Sequence, residues 1–258
     1  MADKLALAKR MKENYELRTR FFLPRRTNII IRLDGKAFHT YTKGLNKPFD
    51  EGLMEDMAST TAFLCENIMG VKCGYTQSDE ISLLLTDYDK LETQAWFDNN
   101  IQKMTSIAAS LATAKFNQLR LVRSLKLNEN VDNFKSLKQI QIQTLAFFDA
   151  RVFQIPEKEE VVNYFLWRQR DAEKNSVAML AQSLYSHKEL HNKNGSDMQE
   201  MCFQKGHNWN NLSPQKKRGS FIVKQTFENE NKAIRTKWEM VKETPFFGKE
   251  RESILNLL

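Results

Sequence analysis

Cysteine is scarce: the 258-residue chain carries three, Cys65, Cys73 and Cys202, and no CxxC pair. A structural zinc site wants four thiolate or imidazole ligands at short spacing, and a disulfide framework wants an even count. Both are excluded, and the three are expected as reduced, buried thiols of a reducing compartment. Long apolar runs are missing as well. None approaches the roughly 20 residues that cross a bilayer, so no transmembrane helix and no membrane partner are expected. Met1 to Arg10 alternates charged and apolar residues, without the apolar core of a secretory signal. A cytoplasmic location is the expectation that follows. Internal repeats and low-complexity linkers are absent too, so nothing forces a domain boundary.

What is present is the composition of a folded globular chain, 41% hydrophobic and 28% charged, with a formal net charge of +7. That surplus suits a polyanionic partner, because each phosphate contact releases condensed counterions. The spacing of apolar residues predicts an amphipathic helix over 4–20 and a buried strand over 27–33 ending in Asp34-Gly35. A helix over 52–68 follows, then two short strands, 71–76 and 81–86, joined so tightly that a hairpin is required. Next come a helix over 96–121, a polar and basic loop over 125–141, and a strand over 145–155. A long helix over 159–186 leads into loops and short helices over 188–213, a late strand over 221–225 and a mixed tail from Asn231. The order strand, helix, hairpin, helix, strand is that of an α+β, ferredoxin-like βαββαβ antiparallel sheet with helices on one face. Residues 1–155 would form this core, with 156–258 a helical and loop region packed on it as one continuous structure.

In that layout Asp34 ends the first strand, and Asp79 and Glu80 occupy the hairpin turn. Three carboxylates converging at one sheet edge would suit Mg²⁺, which binds one or two carboxylates plus substrate phosphates, and two such ions can clamp a phosphoryl transfer. Gly35, lacking a side chain, would let its backbone approach an ion or phosphate. Asp-Gly and Ser-Asp-Glu are also ordinary turn sequences, so residue types alone leave a turn and a catalytic reading both standing.

The longer strings decide between them. IIIRLDGKAFHTYTKGLNKPFD, a helix, then GYTQSDEISLLL resemble the signature of the tRNA-histidine guanylyltransferase family. FFDARVFQIP with NYFLWRQRDAEKNSV, and more weakly LSPQKKRGSFIVKQ, resemble its later blocks, so the likeness spans most of the chain. It implies a catalytic core similar to a polymerase palm working 3′-to-5′, a tRNA partner, ATP and other NTPs, two Mg²⁺ ions and a homotetramer. By position in these motifs it implies metal binding by Asp34, the Gly35 carbonyl and Asp79, with Glu80 at the metal site. Lys36, Ala37, Phe38 and His39 would lie against a triphosphate, and Lys47, Ser78, Lys103 and Asn175 match phosphate-binding or activating positions. Taken alone, His39 reads equally as a buried structural histidine, Lys47 and Lys103 as solvated lysines, Arg151 as a partner of Asp149, and Trp167 as core.

One block departs from the family. Where the tRNA-histidine enzymes continue from WRQ into His-Ile-Asn-Asn-Leu-Tyr-Asn, this chain has Glu173 in place of the histidine and keeps Asn175. That resembles the Thg1-like branch, which implies templated repair of 5′-truncated tRNA over addition of one untemplated G to tRNA-His. Basic residues then gain a task as phosphate contacts: Arg18, Arg20, Arg25 and Arg26; Arg120, Arg123, Lys126, Lys135 and Lys138; Lys216, Lys217 and Arg218. Two rivals are a nucleotide cyclase, against which the HTYTKGLNKPFD and WRQ strings speak, and a catalytically idle tRNA-binding protein, against which three intact carboxylates speak.

Overall fold

The computed structural model describes residues 2–127, 145–228 and 232–258. After a first helix, α1 (Ala2–Met11), strand β1 (Ile29–Gly35) runs through the middle of the molecule. Its side chains alternate between two cores. Ile29, Ile31 and Leu33 enter one, and Ile30 enters the other, which is why Ile29, Ile30 and Ile31 are apolar in succession. A short helix α2 (Phe38–Tyr41) and the long α3 (Glu51–Asn67) follow. Asp50 starts α3 by accepting a hydrogen bond from the Leu53 amide at 2.7 Å. Strands β2 (Val71–Gln77) and β3 (Glu80–Leu85) form the hairpin, closed by the two-residue turn Ser78-Asp79 with Ser78 in the left-handed region (φ 51°).

Helix α4 (Ile101–Leu127) and strand β4 (Phe148–Gln154) complete the expected βαββαβ unit, whose strands lie in the order β4-β1-β3-β2, all antiparallel. α3 and α4 pack on one face, as expected. Helix α5 (Lys158–Leu184) covers the other, setting Val161, Val162 and Phe165 against Ile30, Tyr75 and Leu84. Beyond it, α6 (His187–Leu190) and α7 (Gly195–Gln204) build a small third cluster on the far half of α5 around Leu180, Ala181 and Cys202. Helix α8 (Pro214–Arg218) leads into β5 (Ser220–Glu228), which joins the same sheet beside β2, and β6 (Ile234–Met240) pairs with β5. A last short helix, α9 (Glu252–Leu255), closes the second core through Ile254.

Three elements differ from the sequence expectation. Helix 4–20 breaks up after Met11 into a π turn and a 3-10 turn, and Leu7, Met11, Tyr15 and Leu17 are exposed. The helix expected from Trp96 begins only at Ile101, because Phe97, Asp98 and Asn99 are all left-handed and the Asn100 side chain caps the Lys103 amide at 3.0 Å. β6 was not expected: most of its residues are exposed, so no burial pattern marks it. The loop expected over 125–141 falls almost wholly outside the described residues. All three cysteines are free and buried. No helix among the described residues is long and apolar enough to cross a membrane.

Candidate active site

The register of β1 with its neighbours stacks three rows on the face toward α5. Leu84, Ile30 and Phe153 form the lowest row, Ser82, Arg32 and Arg151 the next, and Glu80, Asp34 and Asp149 the row at the strand ends. The apolar row is sealed by α5, and polarity increases toward the exposed edge. Asp34 is half-buried there, and the hairpin brings Asp79 to it: the Gly35 amide donates to the Asp79 carbonyl at 3.1 Å. Burial pushes the Asp79 carboxyl above its ordinary value, and the negative charge of Asp34 adds to this, against hydrogen bonds from the Ser78 hydroxyl at 3.0 Å and from its own backbone amide. Among the described residues neither aspartate has an ion-pair partner.

Glu80, opposite Asp34 in the register, is held differently from the two aspartates. Its Oε2 accepts from Arg32 Nη2 at 2.6 Å and from Arg168 Nη1 at 2.9 Å, with Glu80 and Arg168 each 4% exposed. Burial pushes this carboxyl up, against the pull of Arg168 and Arg32. Glu80 is therefore a clamp between β1, β3 and α5 through Oε2, while its Oε1 is buried without a hydrogen-bond partner. Among the described residues no group of three His, Cys, Asp or Glu gathers as a ready-made metal cage. Asp34 and Asp79 form a pair of hard oxygen donors that repel each other and have no Lys or Arg partner among the described residues. That donor set fits a divalent ion such as Mg²⁺, which takes one or two carboxylates and completes its shell with other oxygens.

Next to the pair, the loop Lys36–His39 is pinned from below. A Cβ on Gly35 would lie 2.3 Å from the Phe38 ring, so only glycine allows that ring to fold under the strand end. Phe38 is buried among Tyr41, Phe116 and Phe148, with ring centroids 5.0–5.6 Å away. Ala37 is left-handed (φ 54°), and the Lys36 amide donates to the Phe147 carbonyl at 2.8 Å. Lys36, Ala37 and His39 are left exposed at the carboxylate edge. The exposure of His39 removes its reading as a buried structural histidine. Gly35→Ala is expected to eject Phe38 from its cluster, costing about 3 kcal/mol on the scale of a lost core aromatic and raising the KM for nucleotide; thermal melting and NTP titration check it.

On the other side of the hairpin tip a groove of 230 Å³ opens between the loop before α3, α5 and α8. It gathers Lys47, Ser78, Asn175 and Lys216, far apart in sequence, with Gln77 and Ser176. Ser78 thus borders both the groove and Asp79.

A family model described as Thg1, tRNAHis guanylyltransferase, matches residues 8–156. The chain belongs to the Thg1 family. It is 43% identical to a bacterial Thg1-like protein solved with ATP, at a TM-score of 0.81 over 97% of this chain and 98% of that one. The same kind of protein solved with GTP gives 43% identity and a TM-score of 0.80, over 98% of each chain. The tRNA(His) guanylyltransferase of Debaryomyces hansenii is 29% identical over 81% of this chain and 77% of its own. As a Thg1-family member the chain is a nucleotidyltransferase of tRNA processing, and enzymes of this family generally depend on a metal.

Other residues of the Thg1-family motifs fall in three groups. Lys103 is not brought to the site. It stands at the start of α4 beside Glu16, Thr19, Arg20 and Asn100. α4 meets the strand end beside Gly35 at Thr113, whose hydroxyl accepts from the Phe148 amide, ten residues or about 15 Å further along the helix than Lys103. Most of the basic residues already have partners. Arg25 donates to Asp87 and Asp98, Arg120 and Arg123 to the buried Asp56, Lys216 to Glu51, and Lys217 to the Asn210 carbonyl. Arg218 holds Glu173 at 2.9 Å. Arg26 remains an exposed guanidinium, while Lys135 and Lys138 lie outside the described residues, as does the side chain of Lys126. The third group escaped sequence reasoning or was misread by it. Arg32 and Arg168 are the clamp on Glu80, and Asp149 sits directly opposite Asp34. Trp167, expected in the core, is 54% exposed. The readable signal was β-strand alternation, which puts Arg32 on the face of Asp34.

Proposed function

We propose that the chain extends the 5′ end of truncated tRNA in the 3′-to-5′ direction, choosing each nucleotide by pairing with the opposite strand. The observation that carries the reading is the uncompensated pair Asp34 and Asp79, flanked by the exposed Lys36–His39 loop and by the groove of Lys47, Ser78 and Asn175. Two adjoining anion-binding surfaces suit a reaction with two nucleotides. In the first step a 5′-monophosphate oxygen attacks the α-phosphorus of ATP or GTP and pyrophosphate leaves. In the second the 3′-hydroxyl of the incoming nucleotide attacks the activated 5′-phosphorus and the nucleoside monophosphate leaves; the new 5′ end is trimmed of pyrophosphate where required.

Lys47, Ser78 and Asn175 hold the activating nucleotide, whose phosphates need charge and hydrogen bonds at fixed positions. The backbone of Lys36, Ala37 and Phe38, with His39, receives the incoming triphosphate, and its rigidity comes from the buried Phe38 ring. Asp34, Asp79 and the Gly35 carbonyl would hold two Mg²⁺ ions, which supply charge neutralisation at the phosphoryl oxygens when bound. Arg26, with Arg25, Arg120, Arg123, Lys216, Lys217 and Arg218 where their present partners release them, forms the tRNA surface of a homotetramer. Untemplated addition to tRNA-His is the less favoured reading, because Glu173 stands where the tRNA-histidine enzymes carry histidine and is neutralised by Arg218. A carboxylate tied to a guanidinium offers a phosphate or base none of a histidine's donors.

The test is a series of 5′-monophosphorylated tRNAs lacking one, two or three 5′ nucleotides, incubated with ATP, Mg²⁺ and all four NTPs. The reading requires products that regain full length and stop there. A single added nucleotide from every starting length contradicts it.

A further inference from the structure

Trp167 lies in a buried stretch of α5, between Phe165 at 0% and Arg168 at 4% exposure, yet its own indole is 54% exposed. Its orientation is held from behind. The Arg168 guanidinium stacks 3.5 Å from the ring centroid and is itself locked on Glu80. Tyr164 meets the indole edge-on at 6.1 Å, and its hydroxyl is locked on Ser82 at 2.7 Å. Both supports are thus anchored to β3, and the ring is fixed in place before any partner arrives.

The indole also stands over the catalytic face. Arg32 lies 6.0 Å from its centroid and precedes Asp34 by two residues on the same face of β1, about 6.6 Å along the strand. Arg151 opposes Arg32 on β4 and is exposed, held only by a loose pair with Asp149 at 3.9 Å, and Arg170 on α5 is exposed as well. A rigid aromatic face rimmed by guanidiniums, one row from the carboxylate pair, matches a nucleotide: a base to stack and phosphates to neutralise.

We propose that Trp167 is a stacking platform for a nucleobase at the RNA end under extension, placing that end against Asp34 and Asp79. This rests on the reading of those carboxylates given above. Stacking on an indole is indifferent to base identity, as an enzyme that takes its sequence from a template requires.

The experiment compares wild type, Trp167→Phe and Trp167→Leu with a 5′-monophosphorylated tRNA lacking one nucleotide. Intrinsic fluorescence, tRNA binding by mobility shift, addition kinetics and solution mass are read together. Stacking predicts that tRNA quenches wild-type fluorescence and that the Trp167-dependent part of this quench vanishes in Trp167→Phe while binding persists. It also predicts a KM for tRNA raised about tenfold in Trp167→Leu, within the 5- to 150-fold range of lost base stacking, and largely restored by Phe. An unchanged quench in Trp167→Phe, or an unchanged KM in Trp167→Leu, overturns the proposal. So does a fall in solution mass of Trp167→Leu without quenching in the wild type, which would make the face a contact between copies. If wild type adds no nucleotide but shows the Trp167-dependent quench, the addition reading fails and the platform stands.

Discussion

Replacing Glu80 with alanine is expected to lower the melting temperature by about 6–12 °C, corresponding to roughly 3 kcal/mol for a chain of this size. The cause is the loss of a clamp. Arg32 and Arg168 converge on one Glu80 oxygen from β1 and α5, and Arg168 is almost wholly buried. Without the carboxylate, two desolvated guanidiniums face each other, and the Nε atoms of both are already without a partner. Glu80→Gln is milder, because it keeps an acceptor for one guanidinium at the same place. Loss of activity in Glu80→Ala should therefore track loss of folded protein and recover on cooling. An alanine variant that melts like wild type while losing nucleotide addition would instead return Glu80 to the metal site.

Asp79→Asn is expected to do the opposite. Addition should fall about a thousandfold, roughly 4 kcal/mol of transition-state stabilisation, with tRNA binding retained. The melting temperature of the metal-free protein should not fall, and should rise by about 2–4 °C, because the substitution removes a partly buried charge beside Asp34. Calorimetry and a nucleotide-addition assay on the same sample check both halves. Retained addition in Asp79→Asn would remove Asp79 from the reaction; absence of addition in the wild type itself would leave a protein that binds tRNA without catalysis.

The contrast between Glu80 and Asp79 marks the limit of what adjacent residues in one motif reveal. That a strand would run into Asp34-Gly35 was legible, because an apolar run buried on both faces and a glycine are local signals. The hairpin was legible from its two-residue connection, and the order of elements led to the observed sheet. The fate of Glu80 was not, since it depends on Arg168, 88 residues away on a helix that covers the sheet's second face. The exposure of Trp167 follows from the same clamp: with Arg168 turned inward to Glu80, its neighbour on the helix is left outside. Arg120 and Arg123 read from the sequence as unpaired basic residues because nothing near them in sequence shows that Asp56 of α3 reaches them. In the same way Lys103 matched a motif position, but three left-handed residues set the start of α4 and leave it at the far end of the helix. Lys47, Ser78 and Asn175 illustrate the reverse, positions from three separate motifs that the fold places in one groove.

The most direct test of templated addition is the initial rate with each NTP in turn on a tRNA lacking its first nucleotide, repeated with each of the four bases opposite the gap. The account predicts that the complementary nucleotide is favoured by at least about tenfold, or 1.4 kcal/mol, whichever base is opposite. Addition of G at one rate whatever the opposing base would contradict it, and would mean that the Glu173–Arg218 pair does not separate this chain from the tRNA-histidine enzymes.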